Sequence, residues 1–313
     1  MESLIKSGIK FASHTILQPL ERRLLDQCKD SYIPPCFIIG APRSGTSLLY
    51  ELLVTYYKFS YFSNLANIFF KTPLAVSYIG KPAIERRKGR FESSYGNLHG
   101  FAAPSEAGAI WGRWIPEFHY LDQTSNSKHK FLIEAPAIVQ SMSWIFSAPF
   151  INKNVMHGVH MNLLNVIFPG CVFIEIRRDA RANARSIINA RVLEAGPKQD
   201  KDGWWSVKPR GASKYFGLTP EEQACAQISL LRHDIEDSVN YLGDDRYLMI
   251  NYEDVCSKTS YTLSVIRDFL MPHCGDLDLR NVTIDNIACS NSTPLADESE
   301  IKIQNSLVAH GLD

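Results

Sequence analysis

Phe37 to Tyr50 read FIIGAPRSGTSLLY, and this stretch decides the fold. An apolar run stops at Gly40, a turn runs through Gly45, Thr46 and Ser47, and helix-favouring residues follow at once. A buried strand feeding a tight turn into a helix start is the repeating unit of a parallel α/β sheet. The spacing, G-x-x-x-x-G-x-[ST], is that of a phosphate loop, but Thr46 stands where a nucleotide triphosphatase carries its lysine. Such a turn aims several backbone N–H groups, and the positive end of the helix dipole, at one anion. The nearest cation is Arg43, inside the loop, whose planar fork suits a tetrahedral oxyanion such as phosphate or sulfate.

The alternation continues outward from the loop. Cys36 to Ile39, Phe59 to Phe62, Cys171 to Ile176 and Tyr247 to Asn251 are short and apolar on both faces, as strands of a buried parallel sheet must be. Helices are predicted over Thr46 to Tyr57, Ala180 to Leu193 and Lys258 to Leu270. Another is opened by Thr219-Pro-Glu-Glu and runs to about Tyr241, because Thr caps, Pro suits the first turn and acids favour the positive dipole end. The predicted fold class is α/β: a doubly wound, mostly parallel central sheet with helices on both faces and a P-loop-like nucleotide site at the carboxyl ends of its strands.

The 313 residues, 45% of them hydrophobic, supply a sizeable core, and a single domain over 1–313 is expected. Residues 1–33 read as an N-terminal helical extension, with Ile5, Ile9, Ile16, Leu20 and Leu24 at helical spacing. Packing on the main body and contact with a membrane surface are the two readings of that stripe. Residues 63–150 are aromatic and turn-rich, carry Trp111, Trp114 and Trp144, and read as an insertion forming an acceptor pocket and lid.

Lys plus Arg and Asp plus Glu both total 33, so net charge gives no case for nucleic acid or an anionic membrane. No run reaches the roughly 18 to 20 apolar residues of a membrane span. The seven cysteines are scattered without a C-x-x-C pair, which points to reduced thiols in a cytoplasmic compartment and to no metal site. Asn281 and Asn291 match glycosylation spacing, but without a signal peptide the matches read as chance.

A second anion site is legible where an apolar strand ends in Arg177-Arg178-Asp179 and a helix then carries Arg181, Arg185, Ser186 and Arg191. Arg178 at the strand end and Ser186 about two turns on would face one crevice as cation and hydroxyl. The competing readings are structural: a plain capped turn at the loop, a surface ion pair at Arg178 and Asp179, and a core tyrosine at Tyr252.

Taken together and in order, these segments resemble the sulfotransferases that use 3′-phosphoadenosine 5′-phosphosulfate (PAPS). That family's loop P-[RK]-S-G-T-[ST] is matched by Pro42-Arg-Ser-Gly-Thr-Ser47. Its R-D-x-R-x-x-x-x-S motif is matched by Arg178 through Ser186, with Ala180 in place of a frequent Pro or Gly, and its strand-end Y-E-D by Tyr252-Glu-Asp254. The resemblance implies that Arg43, Ser44, Gly45, Thr46 and Ser47 hold the 5′-phosphosulfate, that Arg178 and Ser186 hold the 3′-phosphate, and that Tyr252 lies near the adenine. The segment from Asn281 to Lys302 resembles the C-terminal part of Golgi-type tyrosylprotein sulfotransferases, which makes Ser290, Ser292 and Lys302 candidates for closing over the nucleotide. The R-K-G loop of cytosolic steroid and phenol enzymes is missing, so the likeness is nearer the bacterial and Golgi-type branch.

Transfer of a sulfuryl group to a hydroxyl needs a base, and here the chain departs from relatives that carry a glutamate after the first helix, reading Ser63-Asn64 instead. Glu106 in the turn Pro104-Ser-Glu is the first candidate, His157 the second with His160 beside it, and Lys153 an electrostatic helper. The acceptor is expected to be a small molecule, lipid or glycan. Two alternatives remain: a P-loop kinase acting on a metabolite or nucleotide, which predicts the loop lysine that Thr46 replaces, and a non-catalytic nucleotide-binding relative.

Overall fold

The computed structural model describes residues 13–27, 32–89, 93–94, 97–115, 128–193, 203–280, 282, 287–290 and 294–312. Its central sheet has four parallel strands: β1 (Cys36–Ile39), β2 (Ile151–Lys153), β3 (Val172–Arg177) and β4 (Tyr247–Asn251), in the order β2-β1-β3-β4. Cys36 lies opposite both Ile151 and Val172, so β1 is central, and all four of its residues are fully buried. The ladder between β3 and β4 ends with Arg177 opposite Asn251, which sets the carboxyl ends of those two strands side by side.

Twelve α-helices surround the sheet among the described residues: α1 (Gln18–Gln27), α2 (Thr46–Tyr56), α3 (Asn64–Ile68), α4 (Pro73–Glu85), α5 (Gly108–Trp114), α6 (Lys128–Phe146), α7 (Met161–Ile167), α8 (Ala180–Leu193), α9 (Pro220–Leu242), α10 (Tyr252–Ser257), α11 (Thr259–Cys274) and α12 (Asp297–Ala309). The α/β class is as expected. The start of α9 is a full capping box, in which the Thr219 side chain accepts from the Glu222 N–H while the Glu222 carboxylate accepts from the Thr219 N–H.

One strand was misplaced. Phe59 to Phe62 is not a strand; Ser60 makes an isolated bridge to Phe150 and flanks the start of β2, whose Ile151 N–H it receives at 2.9 Å. The strand that was missed, β2, contains Asn152 and Lys153, both buried, so no apolar run marks it. Its burial is possible because distant groups satisfy Asn152. Trp111 Nε1 donates to its Oδ1 at 2.8 Å, and its Nδ2 donates to the Ser105 carbonyl at 3.1 Å.

The aromatic residues of the 63–150 segment also need correction. Trp111 and Trp114 are core residues, 3% and 1% exposed, packed edge-on to each other at 5.2 Å and against Phe62, and do not line an open pocket. Large rings bury more apolar area than other side chains, and here that area joins the segment to the sheet. Trp144 on α6 is half-exposed. Of the N-terminal stripe, Leu24 is buried in the core and Leu20 packs against it, while Ile16 is exposed; Ile5 and Ile9 lie outside the described residues. Glu21, also buried, ties α1 down by accepting from the Leu74 and Ala75 N–H groups at the start of α4. No helix among the described residues is long and apolar enough to cross a membrane.

Candidate functional site

The loop from Gly40 to Ser47 joins β1 to α2 at the carboxyl edge of the sheet. Its two glycines are required by close approach. At Gly45 (φ +104°) a Cβ would lie 2.4 Å from Tyr252 Cδ2, and at Gly40 (φ +145°) it would lie 2.6 Å from the Ile176 carbonyl oxygen. Arg43 adopts φ +66°, a left-handed conformation that costs a non-glycine residue about 1 kcal/mol or more. Gly45 occupies the N-cap of α2 with no side-chain cap, so the plain capped turn is not what forms.

One flank of the loop is cationic. Arg43 Nε donates to Ser186 Oγ at 3.3 Å, which turns its guanidinium toward α8. Arg178, just past β3, donates from Nη1 to the Arg43 carbonyl at 3.2 Å and from Nη2 to the Ser290 carbonyl, and its guanidinium sits 4.7 Å from the centre of the Tyr252 ring. The Ser290 N–H donates to the Tyr252 hydroxyl at 3.1 Å, and burial pushes that phenol up to about 12. Arg43, Ser44, Gly45, Arg178, Ser186, Tyr252 and Ser290 are thus brought to one place from four separate segments. Arg178 is not in a surface ion pair with Asp179, whose carboxylate instead accepts from the Ala182 N–H at the start of α8. The adjacent Arg177 turns away, to Glu175 at 2.9 Å and Glu236 at 3.1 Å.

The other flank carries a carboxylate. Ser47, Tyr50, Asn64, Leu98, Pro104, Ser105, Glu106 and Lys153 line a narrow cleft of about 10 Å³, room for about one water. Within it the buried ammonium of Lys153, at the end of β2, pairs with the Glu106 carboxylate, which stays one-third exposed. Asn154 Nδ2 fixes the Glu106 backbone by donating to its carbonyl at 3.1 Å. The segment around residue 106 therefore does supply one wall of a cleft at the loop.

His157 is not part of it. Its ring is 2% exposed, sits 4.7 Å from Trp111 and 5.0 Å from Phe37, and shares a hydrogen bond of 2.9 Å with Asn152. Burial, then the nearby His160 and Lys153, hold its pKa well below 6.5, which keeps it a neutral core residue. His160 is likewise buried. Lys302 pairs with Glu298 along the exposed face of α12, and the neighbouring Glu300 ties α12 to α8 by a two-pronged bond from Arg185 at 2.6 and 2.7 Å. Arg191 is structural, holding the Gly203 and Pro220 carbonyls and Gln223. Ser292, Asn281 and Asn291 lie outside the described residues.

Sequence reasoning missed Asn183, Arg232 and Tyr50. Asn183 Nδ2 donates to the Pro42 carbonyl at 2.7 Å and braces the loop, and Arg232 donates to the Arg178 carbonyl at 3.0 Å and braces the end of β3. Asn183 lies one turn before Ser186 on the same face, a signal the motif pattern leaves unmarked.

The sheet is parallel α/β, and its first loop and helix start are flanked by two arginines on one side and a paired carboxylate on the other. The family follows from the chain itself: a model of the sulfotransferase family matches residues 34–271, and the protein belongs to that family. The crystal structure of sulfotransferase STF9 from Mycobacterium avium aligns with a TM-score of 0.52 at 15% identity, covering 96% of this chain and 73% of that one. The sulfotransferase domain from the Synechococcus PCC 7002 olefin synthase aligns with a TM-score of 0.47 at 16% identity, covering 92% of this chain and 98% of that domain. The first of these shows the same fold. No curated protein matches the chain by sequence.

Proposed function

We propose that this protein is a PAPS-dependent sulfotransferase, moving a sulfuryl group to a hydroxyl or amine of a small-molecule, lipid or glycan acceptor. The observation that carries the reading is the division of the loop: Arg43, Arg178 and Ser186 stand on one side and Glu106 with Lys153 on the other. An in-line transfer needs that division, with charge building on a leaving group at one end and a proton departing at the other.

The residues present fit the donor. Ser44 Oγ and Arg178 Nε are buried without hydrogen-bond partners among the described residues, and the N–H groups at the start of α2 lack a side-chain cap. Under this reading the N–H groups of Ser44 to Ser47, with the hydroxyls of Thr46 and Ser47, bind the 5′-phosphosulfate. Arg178 and Ser186 bind the 3′-phosphate, and Ser290 and Tyr252 close against the base. Arg43 neutralises charge developing on the leaving oxygen. The Glu106 carboxylate accepts the acceptor's proton, and Lys153 holds that carboxylate in place. No group of three or more His, Cys, Asp or Glu side chains that could hold a metal ion occurs among the described residues.

The test is calorimetric titration with 3′-phosphoadenosine 5′-phosphate, without metal, beside ATP and magnesium. The bisphosphate nucleotide is expected to bind tightly. Arg43→Ala and Arg178→Ala each remove charged hydrogen bonds worth about 1.5–3 kcal/mol, weakening it roughly 10- to 150-fold. Glu106→Gln is expected to keep the nucleotide affinity and lose transfer from labelled donor to a panel of phenol, sterol and sugar acceptors. Preference for ATP and magnesium would instead establish the kinase alternative.

A further inference from the structure

Ser290 is held by both of its backbone polar groups, the N–H on the Tyr252 hydroxyl and the carbonyl on Arg178. The residue just before it is Cys289, which is exposed. One helical turn beyond Tyr252, on the same face of α10, is Cys256, 1% exposed. The bond from Ser290 to Tyr252 brings Cys289 to the face of α10 that carries Cys256, and the Tyr252 and Cys289 side chains both act on the Cys256 thiol. They are separated by 33 positions in sequence.

We propose that Cys256 and Cys289 form a disulfide on exposure to peroxide, and that this bond clamps the Ser290 turn onto Arg178 and Tyr252 and weakens nucleotide binding. The clamp rests on the sulfotransferase reading of that site; the disulfide itself does not.

The chemistry follows from exposure. Cys289 meets the oxidant first, its sulfur attacking a peroxide oxygen to give a sulfenic acid and an alcohol or water. The Cys256 sulfur then displaces hydroxide from the sulfenic acid, and the thiol proton leaves with it as water. Two thiols have lost two electrons and the peroxide has gained them. Burial pushes the Cys256 thiol up to about 11, which keeps it from meeting the oxidant first; its part in the second step comes from its place beside Cys289 and not from its acidity. Bond formation brings the sulfurs to about 2.05 Å, drawing Cys289, and Ser290 with it, against α10. Arg178 must release the Ser290 carbonyl to turn its Nη2 onto a phosphate, and an anchored turn resists that release.

The full chain is treated with hydrogen peroxide, its remaining thiols are alkylated, and the digest is analysed by mass spectrometry with and without dithiothreitol. The expected product joins the Cys256 and Cys289 peptides and disappears on reduction. The oxidised protein is expected to bind 3′-phosphoadenosine 5′-phosphate at least tenfold more weakly, with recovery on reduction, while Cys289→Ser neither cross-links nor loses affinity after peroxide. Absence of the cross-link, or pairing of Cys289 with another cysteine, overturns the inference whatever the nucleotide does. A cross-linked protein that binds as tightly as the reduced one overturns the clamp. Reduced protein that ignores the nucleotide refutes the sulfotransferase reading instead, and the mass measurement still decides the disulfide.

Discussion

Replacing Gly45 by alanine adds a single methyl group, and the structure says where it must go. The new Cβ would lie 2.4 Å from Tyr252 Cδ2, 3.0 Å from Cε2 and 3.2 Å from Ile176 Cδ1. Relief requires the tyrosine ring to move by about 1 Å, since carbon contacts are comfortable only at about 3.5–4.0 Å. That ring is not free to move, because its hydroxyl holds the Ser290 N–H and Arg178 covers its face. Holding alanine at φ +104° costs about 1–2 kcal/mol and overpacking about 1–3 kcal/mol more, so Gly45→Ala should destabilise the protein by about 2–5 kcal/mol. Urea unfolding measures this directly, and calorimetry with 3′-phosphoadenosine 5′-phosphate should show at least tenfold weaker binding. A double-mutant cycle isolates the cause: in a Tyr252→Ala background the ring is gone, and the same glycine substitution should cost only the backbone part and the lesser contact with Ile176 Cδ1. Equal costs in both backgrounds, or a Gly45→Ala protein within 0.5 kcal/mol of wild type, would refute the packing argument.

Lys153→Met should lower transfer about tenfold or more while leaving nucleotide affinity within twofold, because it touches only the carboxylate flank; a matching loss of affinity would move Lys153 to the donor site. His157→Gln should retain transfer, since the ring lies in the core. The native His157 binds its proton less tightly than the unfolded chain does, so its contribution to stability is full above about pH 6.5 and is lost as pH falls; unfolding at pH 5 and pH 7 should show a smaller acid loss in the variant. Glu21 has the opposite sign. Burial raises it from 4.5 to about 7, so its share of stability, about 3 kcal/mol, is present below pH 4.5 and is lost as pH rises through 7. Glu21→Gln should remove that decline, and identical pH profiles for the two proteins would disprove the assignment.

Local chemistry made much of this protein readable. β1 was legible as four apolar residues before a glycine, α8 as the helix following an arginine-ended strand, and the start of α9 from its Thr, Pro and two acids. Each is specified within a few residues by backbone freedom, capping or burial on both faces. β2 was not legible, because a strand holding Asn152 and Lys153 is buried only when Ser105, Glu106 and Trp111, more than forty positions away, supply the missing bonds and charge. The same remoteness hid the nature of His157. A lone histidine is more often a core ring than a base, and here Phe37 and Trp111 close around it.

By itself the sequence determined the loop, the helix behind it, the arginine with its serine eight positions on, and through their order the family. Those are features of spacing along a chain, and spacing survives without coordinates. Only the tertiary structure decided that Glu106 and Lys153 meet beside Ser47, that Lys302 pairs with Glu298 on the surface of α12, and that Gly45 must be glycine because Tyr252 lies against it. Contacts of that kind depend on which distant segments the buried sheet brings together, and close packing rather than local preference sets their distances.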